Sequence, residues 1–305
     1  FSNLSRPVSI GVGDFDGDSL EDIVVCNFGN NLGHLSWYRN VGGNYQENKI
    51  KEVPGASRVI VRDLDNDNDP DLAVLFAQSD EGISFFYNEG GAFREERVLR
   101  FPPVYGSNDF ELLDFDQDGD LDLITGSVGR NTKYQARQDN LQALLFGALG
   151  AQKRLLALEA YQEGQFIYLH AGFEAVSRIL PGLRSRFKNF HEWSQANVQQ
   201  VFDPEEMKKL KVKIWNAMDS GIWEQIAPLQ FKFHPLPALA QNSPVNDIAI
   251  GDFNQDGRPD LALAQNDATH QPGNFRMDGG LSLILENAGG LNFEVLYPDQ
   301  SGISI

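Results

Sequence analysis

Aspartates recur in this chain at positions one, three, five and nine of a short loop, four times over. The first loop reads Asp14-Phe-Asp16-Gly-Asp18-Ser-Leu-Glu-Asp22 and the second Asp63-Leu-Asp65-Asn-Asp67-Asn-Asp-Pro-Asp71. The third is Asp114-Phe-Asp116-Gln-Asp118-Gly-Asp-Leu-Asp122 and the fourth Asp252-Phe-Asn254-Gln-Asp256-Gly-Arg-Pro-Asp260. Carboxylates packed this closely repel one another and raise each other's pKa unless a cation sits among them. Several hard oxygen ligands suit Ca²⁺ before Mg²⁺, so the loops imply up to four bound calcium ions. A single loop of this kind reads equally as a polar hairpin turn, because Asp, Asn and Gly are good turn formers. Four of them, each followed by an apolar strand-like run, make a repeat.

The elements that must position these loops follow from the spacing. Loop starts at Asp14, Asp63 and Asp114 lie 49 and 51 residues apart. A second signature falls at a regular place after the loop: Asn40-Val-Gly42-Gly43, Asn88-Glu-Gly90-Gly91 and Asn287-Ala-Gly289-Gly290. Between the loop and the Gly-Gly turn stand alternating apolar runs such as Leu35-Ser-Trp37-Tyr and Ile83-Ser-Phe85-Phe-Tyr87. One unit therefore reads as strand, acidic loop, strand, strand, Gly-Gly turn, strand. Tandem four-stranded units of this length predict an all-β fold, a β-propeller of four-stranded blades.

The loops Asp-Phe-Asp-Gly-Asp and Asp-Phe-Asp-Gln-Asp-Gly-Asp-Leu-Asp resemble the calcium loops of FG-GAP/VCBS repeats, as found in integrin α-subunits and many bacterial secreted proteins. The resemblance spans Phe1 to about Ser127, including Phe28-Gly-Asn-Asn-Leu-Gly-His-Leu-Ser-Trp37 and Phe101-Pro-Pro-Val-Tyr-Gly106, and returns from about Ala240 to Ile305. It implies a calcium-stabilised propeller acting in the periplasm or outside the cell, in binding or adhesion. It also implies a backbone carbonyl ligand from loop position seven, supplied by Leu20, Asp69, Asp120 and Arg258. Asn254 departs from the pattern, and the fourth site is expected to be weaker for it.

The middle of the chain breaks the repeat. After Asp122 the third unit should reach an Asn-x-Gly-Gly turn and does not. Leu141 to Ala160 is instead rich in strong helix formers. Phe187–Trp193 and Val198–Phe202 show apolar residues at three- and four-residue spacing. Asp203-Pro-Glu-Glu206 has the form of a helix start, with a helix expected to run through to Trp215. Gln165–His170 and Gln230–His234 read as strands, and Phe173–Arg178 as the opening strand of a blade without its loop. The expected organisation is propeller blades over 1–130, a mixed, mainly helical insertion or cap over 131–228, and final blades over 229–305.

The net charge of −18 is unevenly spread. Residues 129–234 carry 14 Lys and Arg against 10 Asp and Glu, whereas the rest carries 11 against 33. Fifteen of those 33 acids are aspartates at positions one, three, five and nine of the four loops, so much of the acidity is metal chemistry. An acidic surface argues against nucleic acid, whose phosphates demand a basic patch. No apolar run approaches the ~18–20 residues of a membrane span. Without an initiator Met or an apolar leader, Phe1 reads as the start of a mature or trimmed chain, or of a piece of a longer protein. Cys26, the lone cysteine, reads as a small buried hydrophobe. No nucleophile elbow, zinc helix or phosphate loop is present.

These features predict a binding or adhesion module for a protein or glycan ligand, with the 131–228 insertion as the expected ligand-bearing part. The alternative is a calcium-dependent, lyase-like enzyme acting on polysaccharide. Trp193, Trp215 and Trp223 read as core residues, and His170, His191 and His234 as structural ones.

Overall fold

The computed structural model describes residues 4–29, 32–77, 82–99, 109–134, 136, 140–149, 154–215, 217–267 and 276–302. The segment Phe101–Gly106 falls outside them. The described residues divide into two compact units, one of residues 132–218 and one of the remainder.

In the larger unit the first sheet is the antiparallel meander β1 (Pro7–Gly13), β2 (Asp22–Asn27), β3 (His34–Val41) and β4 (Asn44–Lys51). The second repeats it as β5 (Ala56–Arg62), β6 (Asp71–Phe76), β7 (Gly82–Asn88) and β8 (Phe93–Leu99). The third begins with β9 (Asp109–Leu113) and β10 (Asp122–Gly126), after which the chain departs to build the other unit. That unit holds β11 (Gln142–Leu149), β12 (Arg154–Glu163), β13 (Phe166–Leu169) and β14 (Lys211–Trp215), ordered β13-β12-β11-β14. The chain returns as β15 (Gly221–Ala227) and β16 (Gln230–Pro235), and Thr125 pairs with Gly221, so the third sheet is completed by distant sequence. The last sheet is β17 (Val245–Gly251), β18 (Asp260–Gln265), β19 (Leu283–Asn287) and β20 (Phe293–Leu296).

Successive sheets of the larger unit share cores. Val24, Cys26, Leu35 and Trp37 of the first pack on Val59, Leu72, Val74 and Phe86 of the second. Cys26 is fully buried there, and burial pushes its thiol up to about 12. Ile124 and Ile222 of the third pack on Ile248, Leu261 and Leu285 of the last. The first strands are also tied by charge. Arg58 of β5 pairs with Asp109 (3.2 Å) and Glu111 (2.6 Å) of β9, and Asp109 accepts the Ile248 amide of β17 (3.0 Å).

The smaller unit corrects several expectations. The stretch Leu141–Ala160 is not helix but the strands β11 and β12. Helix-forming Leu, Ala and Glu are overridden there by a period of two: Leu156, Leu158 and Ala160 are buried and Ala157 is exposed. Helix α5 (Pro204–Met207) has the expected Asp203 capping box but ends at Met207, and Lys211–Trp215 continues as β14 on the edge of β11. Val212 and Ile214, alternating with lysines and followed by Trp215, favour the pleated strand. Phe173–Arg178 is not a strand; it lies in helix α1 (Phe173–Ile179). With α2 (Leu183–Arg186), α3 (Phe190–Ser194) and α4 (Val198–Val201) it covers the Ala143–Leu145–Leu158–Ala160 face of the sheet. Trp215 is buried, while Trp193 and Trp223 are partly exposed.

Candidate metal centres

Each acidic loop joins the first two strands of a sheet, and its backbone explains its sequence. Loop positions four and six have left-handed φ: Gly17 and Ser19, Asn66 and Asn68, Gln117 and Gly119, Gln255 and Gly257. Glycine and Asn take that conformation at low cost, hence their frequency there. The double reversal turns successive amides inward onto the position-one carboxylate. Asp14 accepts from Gly17 (2.9 Å), Asp18 (3.1 Å) and Ser19 (2.8 Å). Asp63 accepts from Asn66 and Asn68, Asp114 from Asp118 and Gly119, and Asp252 from Asp256 and Gly257. Position five accepts the position-seven amide in every loop: Leu20 to Asp18, Asp69 to Asp67, Asp120 to Asp118, Arg258 to Asp256.

The position-nine aspartates are the most buried. Asp22, Asp71, Asp122 and Asp260 each accept, on one oxygen, the amide of loop position two: Phe15 (3.3 Å), Leu64 (2.9 Å), Phe115 (3.0 Å) and Phe253 (2.9 Å). The other oxygen takes the amide ending the third strand, from Asn40 (2.7 Å), Asn88 (2.7 Å), Gln225 (2.9 Å) and Asn287 (2.9 Å). Position nine is therefore a staple from loop to sheet as well as an oxygen donor.

Carboxylate oxygens converge within 4.8 Å of one another in three triads: Asp14, Asp16 and Asp18; Asp63, Asp65 and Asp71; Asp114, Asp116 and Asp122. Asp22, Asp67, Asp118 and the fourth loop's Asp252, Asp256 and Asp260 stand outside these triads, Asn254 having replaced a carboxylate there. Burial first, then repulsion from Asp67, pushes Asp69 up to about 6. Burial likewise raises Asp122 to about 6, against the two amides that favour its charged form. Asp116 and Asp120 are raised too, by burial and then by Asp118. Asp69 Oδ1 and Asp120 Oδ1 are buried without a hydrogen-bond donor. Buried oxygens lacking donors, beside crowded carboxylates, are what a hard cation would satisfy, so these clusters can hold a metal ion.

Two cationic side chains act here: Arg39, which the sequence reading does not single out, and Arg258, expected there only for its backbone carbonyl. Arg39 of β3 lies on Asp16 by ion pairing and within 3.8 Å of Asp18. The Arg258 side chain pairs with Asp256 and donates to the Asn287 carbonyl (2.6 Å). Asp69 and Asp120 offer side-chain oxygens at position seven besides the backbone carbonyls expected from the sequence. Two of the three Asn-x-Gly-Gly asparagines also act between sheets, whereas Asn40 donates to the Glu21 carbonyl of its own loop. Asn88 donates to the Phe15 carbonyl of the preceding sheet (2.9 Å), and Asn287 to that of Phe115 (3.1 Å).

An FG-GAP-like repeat profile matches residues 14–74 and again 63–125, each match opening on the first aspartate of a loop. The chain carries two overlapping FG-GAP-like repeats. The two FG-GAP matches take in the first three loops; the fourth repeats the same backbone turns and position-nine staple beyond them. No curated protein sequence matches the chain.

Proposed function

We propose that this chain is a calcium-stabilised β-propeller-like module that binds a protein or glycan ligand, acting outside the cell or in the periplasm. The observation that carries it is the convergence of three aspartate triads at the strand connections of FG-GAP repeats. FG-GAP repeats often mediate binding. In this reading Asp14, Asp16, Asp18 and Asp22, with their counterparts in the other loops, hold up to four Ca²⁺ ions. The ion supplies positive charge that lets the carboxylates stand together. The protein's own residues do the rest, the inward amides orienting the carboxylates and the position-nine aspartate fastening the loop to its sheet.

Extracellular calcium modules bind at roughly 10⁻⁴–10⁻³ M, so such sites fill outside cells and stay largely empty in cytosol. No helix among the described residues is long and apolar enough to cross a membrane. The test is a glycan array and a protein array probed in calcium and again in chelator. Calcium-dependent capture of a defined ligand is expected; capture of none in either condition contradicts a binding role.

A further inference from the structure

The sheets of the larger unit do not meet in the same way at every junction. Between the first and second, Phe15 at loop position two is 1% exposed and wedges against Trp37 of its own sheet and Phe93 of the next, at centroid distances of 6.4 and 5.7 Å. Gly91 of the next sheet's turn closes the junction, since a Cβ there would lie 2.9 Å from the Trp37 ring. Between the third and last sheets Phe115 repeats the wedge against Phe293, 6.4 Å away. In both junctions an Asn side chain bonds the wedge residue's carbonyl.

The junction between the second and third sheets has none of these parts. Leu64 stands where Phe15 and Phe115 stand, Gln225 replaces the Asn and accepts the Leu229 amide instead, and Pro228-Leu229 replaces the Gly-Gly turn. A cavity of about 500 Å³ opens there, inside the ~300–1,000 Å³ range of small-molecule sites. One wall is aromatic: Phe85 and Tyr87, set edge to face at 6.3 Å, with the Arg94 guanidinium 4.7 Å from the Tyr87 ring. The Tyr87 hydroxyl and the Asn66 side chain make no hydrogen bond among the described residues, and Arg62, held at Nη1 by the Leu112 carbonyl, also lines the cavity.

We propose that this junction is a saccharide-binding site. A pyranose ring has an apolar C–H face that packs on an aromatic wall and hydroxyls that both donate and accept. Phe85 and Tyr87 supply the wall, while Tyr87, Asn66 and Arg62 supply the polar partners. Arg62 shares the lining with Asp63 and Asp120, whose carboxylates belong to the acidic loops, and neutral hydroxyls can donate to or accept from the remaining polar groups. The proposal rests on the reading of the chain as a binding module and names where and what it binds.

Leu64→Phe tests it with the chain's own filling residue. Ligand-observed NMR on the calcium-loaded protein would use a panel of neutral gluco-, galacto-, manno- and N-acetylated mono- and disaccharides. At least one is expected to bind the wild type. Binding should weaken about tenfold or more in Leu64→Phe and in Tyr87→Ala, the loss that goes with a filled cavity or a withdrawn aromatic face. Melting in calcium should not fall in Leu64→Phe, because Phe occupies that loop position in two other junctions. No binding by the wild type across the panel, or undiminished binding by both variants, overturns the proposal. Capture of a protein ligand with no saccharide bound would overturn this site and leave the broader reading standing.

Discussion

Truncating the loop position-two aromatics one at a time measures how the sheets are held together. Phe15 and Phe115 are each 1% exposed and enclosed by the neighbouring sheet, whereas Phe253, the same residue in the last loop, is 47% exposed. Removing a fully buried Phe withdraws its transfer free energy and leaves a cavity, at a cost of about 3–5 kcal/mol. For Phe253 roughly half the ring already meets water and little cavity forms, so truncation should cost about 1 kcal/mol. Urea denaturation in saturating calcium reads the difference directly. Phe15→Ala and Phe115→Ala should lower the midpoint by at least twice the shift of Phe253→Ala, with m unchanged. Equal losses at all three positions would refute the wedge as the device that joins successive sheets.

Two further outcomes follow from the charges. In chelator, Asp69 and Asp122 hold protons up to about pH 6 in the folded chain but only to about 3.8 when unfolded. The folded state is then the better proton binder, so stability is full below pH 3.8 and falls by on the order of 1–3 kcal/mol as pH rises to 6. Denaturation at stepped pH with and without calcium checks this, because bound metal replaces the loop protons and should abolish or reverse the slope. Arg39→Ala removes the guanidinium that competes for Asp16 and Asp18. Calcium affinity at one site should tighten by up to about fivefold in calorimetric titration, and an unchanged isotherm would show that Arg39 is no competitor.

The loops and their strands were legible because their constraints are local. Positive φ favours Gly or Asn, which hold five of the eight left-handed loop positions, and strand alternation shows in runs such as Leu35–Tyr38. The Asn-x-Gly-Gly signature was visible as a pattern, but the bond from Asn88 to Phe15 spans two sheets and has no local mark. The smaller unit misled for the opposite reason. Leu156, Ala157, Leu158 and Glu159 favour helix taken alone, and only pairing with β11 fixes them as strand. Completion of the third sheet was hidden as well, since Leu123 pairs with Trp223 across an entire inserted unit. Leu64, by contrast, was in plain view as the one loop whose second residue is not Phe. Its consequence emerged only when the equivalent junctions could be compared.

If the aspartate loops are metal sites on which the fold depends, removing calcium must destabilise it. Thermal unfolding of chelator-stripped protein, repeated with calcium in large excess, tests it most directly. Each site that fills in the folded state alone adds about 2.7 kcal/mol at a hundredfold excess over its dissociation constant, so the melting temperature should rise clearly with calcium. A melting temperature that is the same in calcium and in chelator would show that the fold does not depend on the metal.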